Sequence, residues 1–197
     1  MPTAIQQRLY ALAEDQGGYF TIGQVRAARI DHHAILHMSR RGVVERISRG
    51  VYRLAQFPPV PHGQELEATL WPAGGRHGVH GVLSHQSALR FWDLSDASPA
   101  HVHITVPRHY RVRRAVPRLL RIHHADLTSE DVTRHEGVPI TTPLKTIIDC
   151  ANAGLGPGLL RQAIADGRRT GRLTHREADA LSTMLHRRRR AAVGVGS

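Results

Sequence analysis

The sequence has little of several residue types and patterns, and each scarcity narrows the class of protein. Cysteine occurs once, at Cys150, which leaves no disulfide framework and no cysteine-based zinc site. No apolar run is long enough to cross a bilayer and no lipidation motif is present, so we expect no membrane partner. Residues 1–16 lack the charged and then apolar pattern of a secretory signal. Together these absences favour a cytoplasmic protein.

Lysine is also scarce, because Lys145 is the only one and arginine supplies the remaining fixed positive charge. The formal net charge is +11, which indicates a polyanionic partner, most often nucleic acid. An arginine bias can also follow from GC-rich coding, so the positions of the arginines carry more information than their number. Residues 1–57 hold eight arginines against four acids, and residues 151–197 hold nine against three. The positive charge is therefore concentrated at the two ends.

Signals for catalysis are weak. The chain has no P-loop, no GxSxG and no paired aspartate with an ExK, and the lack of these motifs argues against a nuclease of the usual restriction type. Asp149 follows Lys145 by four positions, and a helical salt bridge accounts for that spacing. We therefore assign no catalytic residue and no cofactor from the sequence.

Residues 1–57 have the pattern of three helices followed by a hairpin. After a first apolar-periodic helix, Thr21 and Gln24 form a capping box that opens a short second helix. Asp31 caps a third helix, which Gly42 ends. The next segment, RGVVERISRGVYRL at 41–54, reads as two short strands joined by a tight turn. This order predicts a winged helix-turn-helix, in which the third helix enters the DNA major groove and the ribbon lies against the flanking backbone.

The arginines of the ribbon would meet phosphates, and the polar face of the third helix would reach base edges. The capping of the second helix would present backbone N–H groups to a phosphate. His33 and His37 also have the spacing of a zinc pair on a helix, but no third or fourth ligand accompanies them, so we assign no metal. The predicted DNA-contacting residues are Thr21, His32, His33, His37, Arg40, Arg41, Arg46, Arg49 and Arg53.

A proline-rich connector at 57–61 breaks the pattern and predicts a boundary between two domains. Beyond it, alternating helix and strand patterns predict a mixed α/β domain over 62–190, with helices at its C-terminal end. Strands are expected near 79–83, 101–106, 118–123 and 132–140, and residues 191–197 are expected to form a flexible tail. The predicted fold class is α+β.

Residues 107–121 contain six arginines and no acid. Three readings stay open for this stretch: a second DNA-contacting loop, a docking surface for an acidic partner, or a solvated sheet edge whose charge deters aggregation. The residues in question are Arg108, Arg111, Arg113 and Arg114.

Four stretches in this order resemble the AbiEi family of bacterial antitoxins. They are YFTIGQVRAARIDHHAILHMSRRGVVERISRGVYRL, VLSHQSALRFWDL, HVHITVP with the arginines after it, and GVPITTPLKTIIDCA. The resemblance covers about residues 5–185. It implies a winged-helix domain joined to an α/β antitoxin domain. Lys145 stands where the resemblance leads us to expect an arginine, which is a departure from the pattern.

The resemblance further implies a repressor that binds double-stranded operator DNA upstream of its own operon. It also implies an antitoxin that counteracts a nucleotidyltransferase-like toxin encoded beside it. In the family, the DNA face and the basic residues of the antitoxin domain match the two sets of residues named above. Two other functions stay open. One is an antitoxin that binds or modifies its toxin, for example by phosphorylation, and the other is a winged-helix regulator that responds to a small ligand.

Overall fold

A computed structural model of the protein describes residues 4–74, 78–96 and 98–194. Within these residues, the first unit contains three α-helices, a short 3₁₀ helix at Glu14–Gln16 and a three-stranded antiparallel sheet in the strand order β1–β3–β2. One strand, β1, was not predicted; it pairs with β3 and makes the ribbon part of a sheet. The elements are α1 (Ala4–Ala13), β1 (Tyr19–Thr21), α2 (Ile22–Ala27), α3 (His32–Arg40), β2 (Val44–Ser48) and β3 (Val51–Leu54).

Local signals in the sequence account for the helix boundaries of this unit. The capping box is present, because the Gln24 amide donates to the Thr21 hydroxyl at 3.2 Å and the Thr21 amide donates to the Gln24 side chain at 2.8 Å. Asp31 accepts from the His33 amide at 3.0 Å and begins α3. The left-handed φ of 71° at Gly42 then turns the chain from α3 towards β2.

The second unit is a five-stranded mixed sheet in the order β6–β5–β4–β8–β7. Its β4–β8 and β5–β6 pairs are parallel, and its β4–β5 and β7–β8 pairs are antiparallel. The elements are α4 (Gly63–Leu70), β4 (Val82–Leu83), α5 (His85–Phe91), β5 (Val102–Val106), β6 (Leu120–His124), β7 (Val132–His135), β8 (Val138–Thr141), α6 (Pro143–Asn152), α7 (Pro157–Arg169) and α8 (His175–Gly194).

Three apolar clusters hold the described elements together. The apolar cluster of the first unit lies between its three α-helices and its three-stranded sheet, around Phe20 and Ile35. In the second unit, Ile104 of β5 packs with α4, whereas Leu83 and Ile140 of the central strands pack with α5 to α8. The predicted α+β class, with a winged helix-turn-helix followed by a mixed α/β unit and C-terminal helices, is confirmed.

Three details differ from the sequence-based expectations. Strand β4 has only two residues, Val82–Leu83. Ser84 precedes α5, but its hydroxyl accepts from Thr105 at 2.8 Å and caps no helix amide. Helix α8 continues to Gly194, into the segment expected to be a flexible tail, and residues 195–197 lie outside the described residues.

The connector at 57–61 is packed against the first unit. The Phe57 ring lies 5.8 Å from the Tyr10 ring. The Arg53 guanidinium donates to the carbonyl oxygens of Phe57 at 2.7 Å and of Pro58 at 2.9 Å. Because these contacts fix the chain as it leaves β3, the two units meet in a defined arrangement.

Gly50, in the turn of the β2–β3 hairpin, is buried against the second unit. Gly50 has a φ of 82°, and a Cβ at this position would overlap the carbonyl oxygen of Gly74. A Cβ on Gly74 would in turn lie 2.5 Å from the Arg49 carbonyl oxygen. Two glycines are therefore needed where the two units touch.

We expect Gly50→Ala to destabilise the protein more than Gly42→Ala, as measured by urea unfolding. Both glycines have left-handed φ angles, so each alanine carries a similar backbone cost of about 1–2 kcal/mol. Only at Gly50 does the added methyl group also meet the second unit, since nothing lies within 4 Å of a Cβ at Gly42. Equal losses in the two variants would contradict the packed junction.

Candidate nucleic-acid interface

Helix α3 presents a polar face to solvent while its other face is buried. Ile35 and Met38 point into the core of the first unit. The opposite face is exposed along its length, and its exposed residues are His33, Leu36, His37, Arg40 and Arg41, with His32 half-buried at its start. An exposed helix face of hydrogen-bonding side chains is what major-groove contact requires.

The β2–β3 ribbon carries its arginines in two different environments. Arg46 and Arg49 are exposed, one on β2 and one at the turn. Arg53 is half-buried, because its guanidinium binds the connector carbonyls and lies 5.7 Å from the centre of the Tyr19 ring. Arg53 therefore acts here as a brace between β3 and the connector.

Thr21 is buried, and its amide and hydroxyl both take part in the capping box. The next amide, that of Ile22, donates to the Gly50 carbonyl at 2.9 Å. The start of α2 thus uses these backbone donors within the protein, which leaves the expected phosphate contact at Thr21 without support from the geometry.

A groove of about 510 Å³ runs between the first unit and the loop that follows β5, and we call it the basic groove. The first unit contributes side chains from α2, α3 and the ribbon, and the second contributes the loop at 110–114 and the backbone near 72–74. Among the residues that the structure describes, no acidic residue lines it. Its cationic side chains are those of Arg26, Arg46, Arg49, Arg111, Arg113 and Arg114, with His32 beside them.

Arg114 joins the two walls of the basic groove. Its guanidinium donates to the Arg49 carbonyl at 2.6 Å and to the Trp71 carbonyl. It also lies over the Trp71 ring, 4.0 Å from the ring centre. Partial burial lowers the pKa of Arg114 from its ordinary value, with Arg49 adding to the effect, but an arginine keeps its charge at neutral pH. The charge of Arg114 thus holds the ribbon turn against the second unit.

The four arginines expected to form a secondary basic patch separate in the structure. Arg111, Arg113 and Arg114 line the basic groove, whereas Arg108 is outside it. Arg108 is exposed and lies 3.9 Å from the Asp126 carboxylate. The sequence-based reading missed Arg26, because α2 carries no DNA-contacting pattern of its own and the groove forms only when the two units meet.

The basic groove brings several positive charges together, and no acidic residue among the described residues that line it offsets them. The electrostatic potential in the groove is therefore strongly positive. Low-dielectric walls on both sides focus this potential and raise the local concentration of anions. Arginine forks bind phosphate oxygens in a bidentate geometry. The basic groove is therefore suited to a phosphate backbone, and α3 borders it through His32.

A second polar cluster lies in the second unit, between the start of α5 and strands β5 and β6, and consists of His85, His103 and His123. The rings of His85 and His123 stack with centres 3.5 Å apart, and His103 Nδ1 lies 3.0 Å from His123 Nε2. His85 also has a left-handed φ of 54° at the junction of β4 with α5. His103 and His123 come from the neighbouring strands β5 and β6 and His85 from the start of α5, so the cluster forms only when these elements pack together.

Burial and mutual proximity lower the pKa of each ring in the histidine cluster to about 4. Nearby positive charge adds to the effect, from Lys145 at His85 and from Arg121 at the other two rings, whereas Asp149 opposes it at His123. The rings are therefore neutral at physiological pH. Within the described residues, no group of three or more His, Cys, Asp or Glu side chains is arranged to hold a metal ion.

The arrangement of α1 to β3 defines a winged helix-turn-helix, the class of fold that places one helix in a DNA groove and a ribbon beside it. A family model described as "Transcriptional regulator, AbiEi antitoxin" matches residues 7–55, which run from α1 to just beyond β3. The resemblance to the AbiEi family is confirmed over this unit and supports a role in regulation and as an antitoxin. No curated protein matches the chain. None of the described helices is long and apolar enough to span a membrane.

We expect the stability of the protein to fall as the pH is lowered from about 6.5 to about 4. In the unfolded chain the three rings take up protons near their ordinary pKa of 6.5, whereas the folded cluster does so only near 4. The unfolded state therefore binds more protons in this window, and the free energy of unfolding decreases with falling pH.

The measurement is urea unfolding across the pH range with two variants. His123→Asn should flatten the decline, because it removes one ring of the cluster. His124→Asn, at the exposed next position of β6, should leave most of the decline in place, because His124 makes the smallest of the contributions that lower the His123 pKa. A decline of the same slope in both variants would show that other groups cause it.

Proposed function

We propose that this protein is a DNA-binding transcriptional regulator that represses its own operon and serves as the antitoxin of a toxin–antitoxin pair. The observation that carries the proposal is the basic groove beside α3, formed jointly by the ribbon and the 110–114 loop and lined by no acidic residue within the described part of the chain. The family match over the winged unit adds the regulatory and antitoxin role. In this proposal the protein acts in the cytoplasm, and its toxin is nucleotidyltransferase-like.

Each part of the interface has a separate task under this proposal. The exposed face of α3 reads bases, with Arg40 placed for a bidentate contact to guanine and the histidines for further polar contacts. Arg46 and Arg49 contact DNA phosphates beside the major groove that α3 enters. Arg111 and Arg113 extend the phosphate track onto the second unit. The basic stretch at 107–121 is thus assigned to DNA through the arginines that line the basic groove.

The test is binding of the purified protein to its own upstream DNA and to a scrambled duplex of the same length, each at several salt concentrations. A specific regulator should prefer the upstream DNA by about a thousandfold or more. Weak and equal binding to the two duplexes would overturn the DNA-binding part of the proposal. Repression of a reporter fused to the upstream DNA tests autoregulation directly.

We expect Arg113→Ala to weaken DNA binding and to reduce the slope of log affinity against log salt by about one unit, because one phosphate contact and its released counterion are lost. Arg118→Ala is the matched control. It removes the same charge from the same exposed loop, at a position that does not line the basic groove. Equal slope changes in both variants would mean that the groove has no special part in binding.

Arg114→Gln should behave differently from Arg113→Ala. Because the Arg114 guanidinium binds backbone carbonyls, its loss should lower the free energy of unfolding by about 1–3 kcal/mol and weaken DNA binding with a smaller change in salt slope. Chemical unfolding and DNA titration of the same preparation measure both effects. Unchanged stability together with a full one-unit loss of slope would instead make Arg114 a phosphate ligand.

A further inference from the structure

A groove of about 660 Å³ lies between α7 and α8 and shares no lining residue with the basic groove. Its floor is apolar. Buried Ile164 of α7 and buried Ala178 of α8 form it, half-buried Leu185 lies beside them, and exposed Ala165 and Pro157 line the edge of the groove. The lining residues of α7 span residues 157–169, a length of about 18 Å along a helix. A groove of this length between two helices fits a third helix.

The rim of the α7–α8 groove is mainly basic. Arg161, Arg168 and Arg169 project from α7, and the acidic residue among the lining residues is Asp179. Arg169 is bonded to Asp166 at 3.1 Å. Arg161 and Arg168 are exposed and form no ion pair with the residues that the structure describes. The rim thus offers two free guanidinium groups beside an apolar floor.

The chemistry of this groove selects among possible occupants. A nucleic acid would bring a charged backbone against the apolar floor, which offers it no hydrogen bonds. A second copy of this chain carries a net charge of +11, so it would be repelled by the rim. A helix with an apolar stripe flanked by aspartate or glutamate satisfies both the floor and the rim.

We propose that the α7–α8 groove docks an acidic amphipathic helix of a partner protein. This inference rests on the proposed function, under which the partner is the toxin encoded beside this chain. The two surfaces then divide the work, since the basic groove binds DNA and the α7–α8 groove binds the toxin. Partner binding needs no rearrangement of the winged unit.

The experiment uses the full-length chain and the purified product of the adjacent gene, with their affinity measured by calorimetry. In the Ala165→Glu variant, a carboxylate stands at an exposed position that lines the groove, where it can pair with Arg161 and Arg169 one turn away on the same helix. This variant should fold normally and bind the partner at least about tenfold more weakly, because the carboxylate fills the docking surface and repels an acidic helix. Ala180→Glu is the matched control, since Ala180 is exposed on α8 outside the groove and also has an arginine, Arg176, one turn away.

The inference is supported if Ala165→Glu weakens partner binding while Ala180→Glu does not. It is overturned if the two variants bind alike, or if the unmodified chain does not bind the partner at all. Upstream-DNA binding and rescue of growth from the adjacent gene product are measured in parallel on the unmodified chain. If the unmodified chain neither binds the upstream DNA nor rescues growth, the proposed function is refuted. If it does both without forming a complex with the partner, only the docking groove is refuted.

Discussion

The contact between the ribbon turn and the second unit is the constraint on which the rest of the arrangement depends. Gly50 and Gly74 meet backbone to backbone, and the Arg114 guanidinium crosses the same contact to bind a carbonyl from each side. Without this junction the arginines of the ribbon and those of the 110–114 loop would belong to separate surfaces. The basic groove is therefore a property of the two units together.

Holding several arginines in one groove has an electrostatic cost, because like charges repel each other across low-dielectric walls. The protein offsets part of this cost by bonding two of the groove guanidinium groups to backbone carbonyls. Arg114 donates to the Arg49 and Trp71 carbonyls, and Arg111 donates to those of Arg108 and Tyr110. Arg46, Arg49 and Arg113 are exposed, retain their charge in water and can bind anions. The same residue type thus supplies both the structural braces and the ligand-binding groups.

Much of the first unit could be predicted because its boundaries are set by local chemistry. The Thr21–Gln24 capping box, the Asp31 cap and the Gly50 turn each depend on residues within a few positions of one another. The fold class followed from their order. The aromatic and β-branched residues of β1 favour a strand, but three residues are too few to predict one, and β1 is defined by its pairing with β3.

The parts of the site that escaped prediction depend on contacts between distant segments. Arg26 reaches the basic groove only because α2 lies opposite the 110–114 loop, and Arg114 bonds to Arg49 across 65 positions of chain. His85, His103 and His123 likewise come from three separate elements. Charge counting identified the basic stretches, but it could not separate Arg108, beside Asp126, from Arg113, in the groove.

The packed connector has a consequence for how such proteins can be recombined. Winged-helix domains are often treated as exchangeable modules. Here, however, residues beyond β3 contact the winged unit: the connector packs its Phe57 ring on it and accepts hydrogen bonds from Arg53, and Gly74 of the second unit meets the ribbon turn. A chimera that joins this winged unit to a different domain would therefore also have to include the connector and the surface around Gly74. Transplanting residues 4–57 alone would separate the ribbon from the surface that fixes its turn.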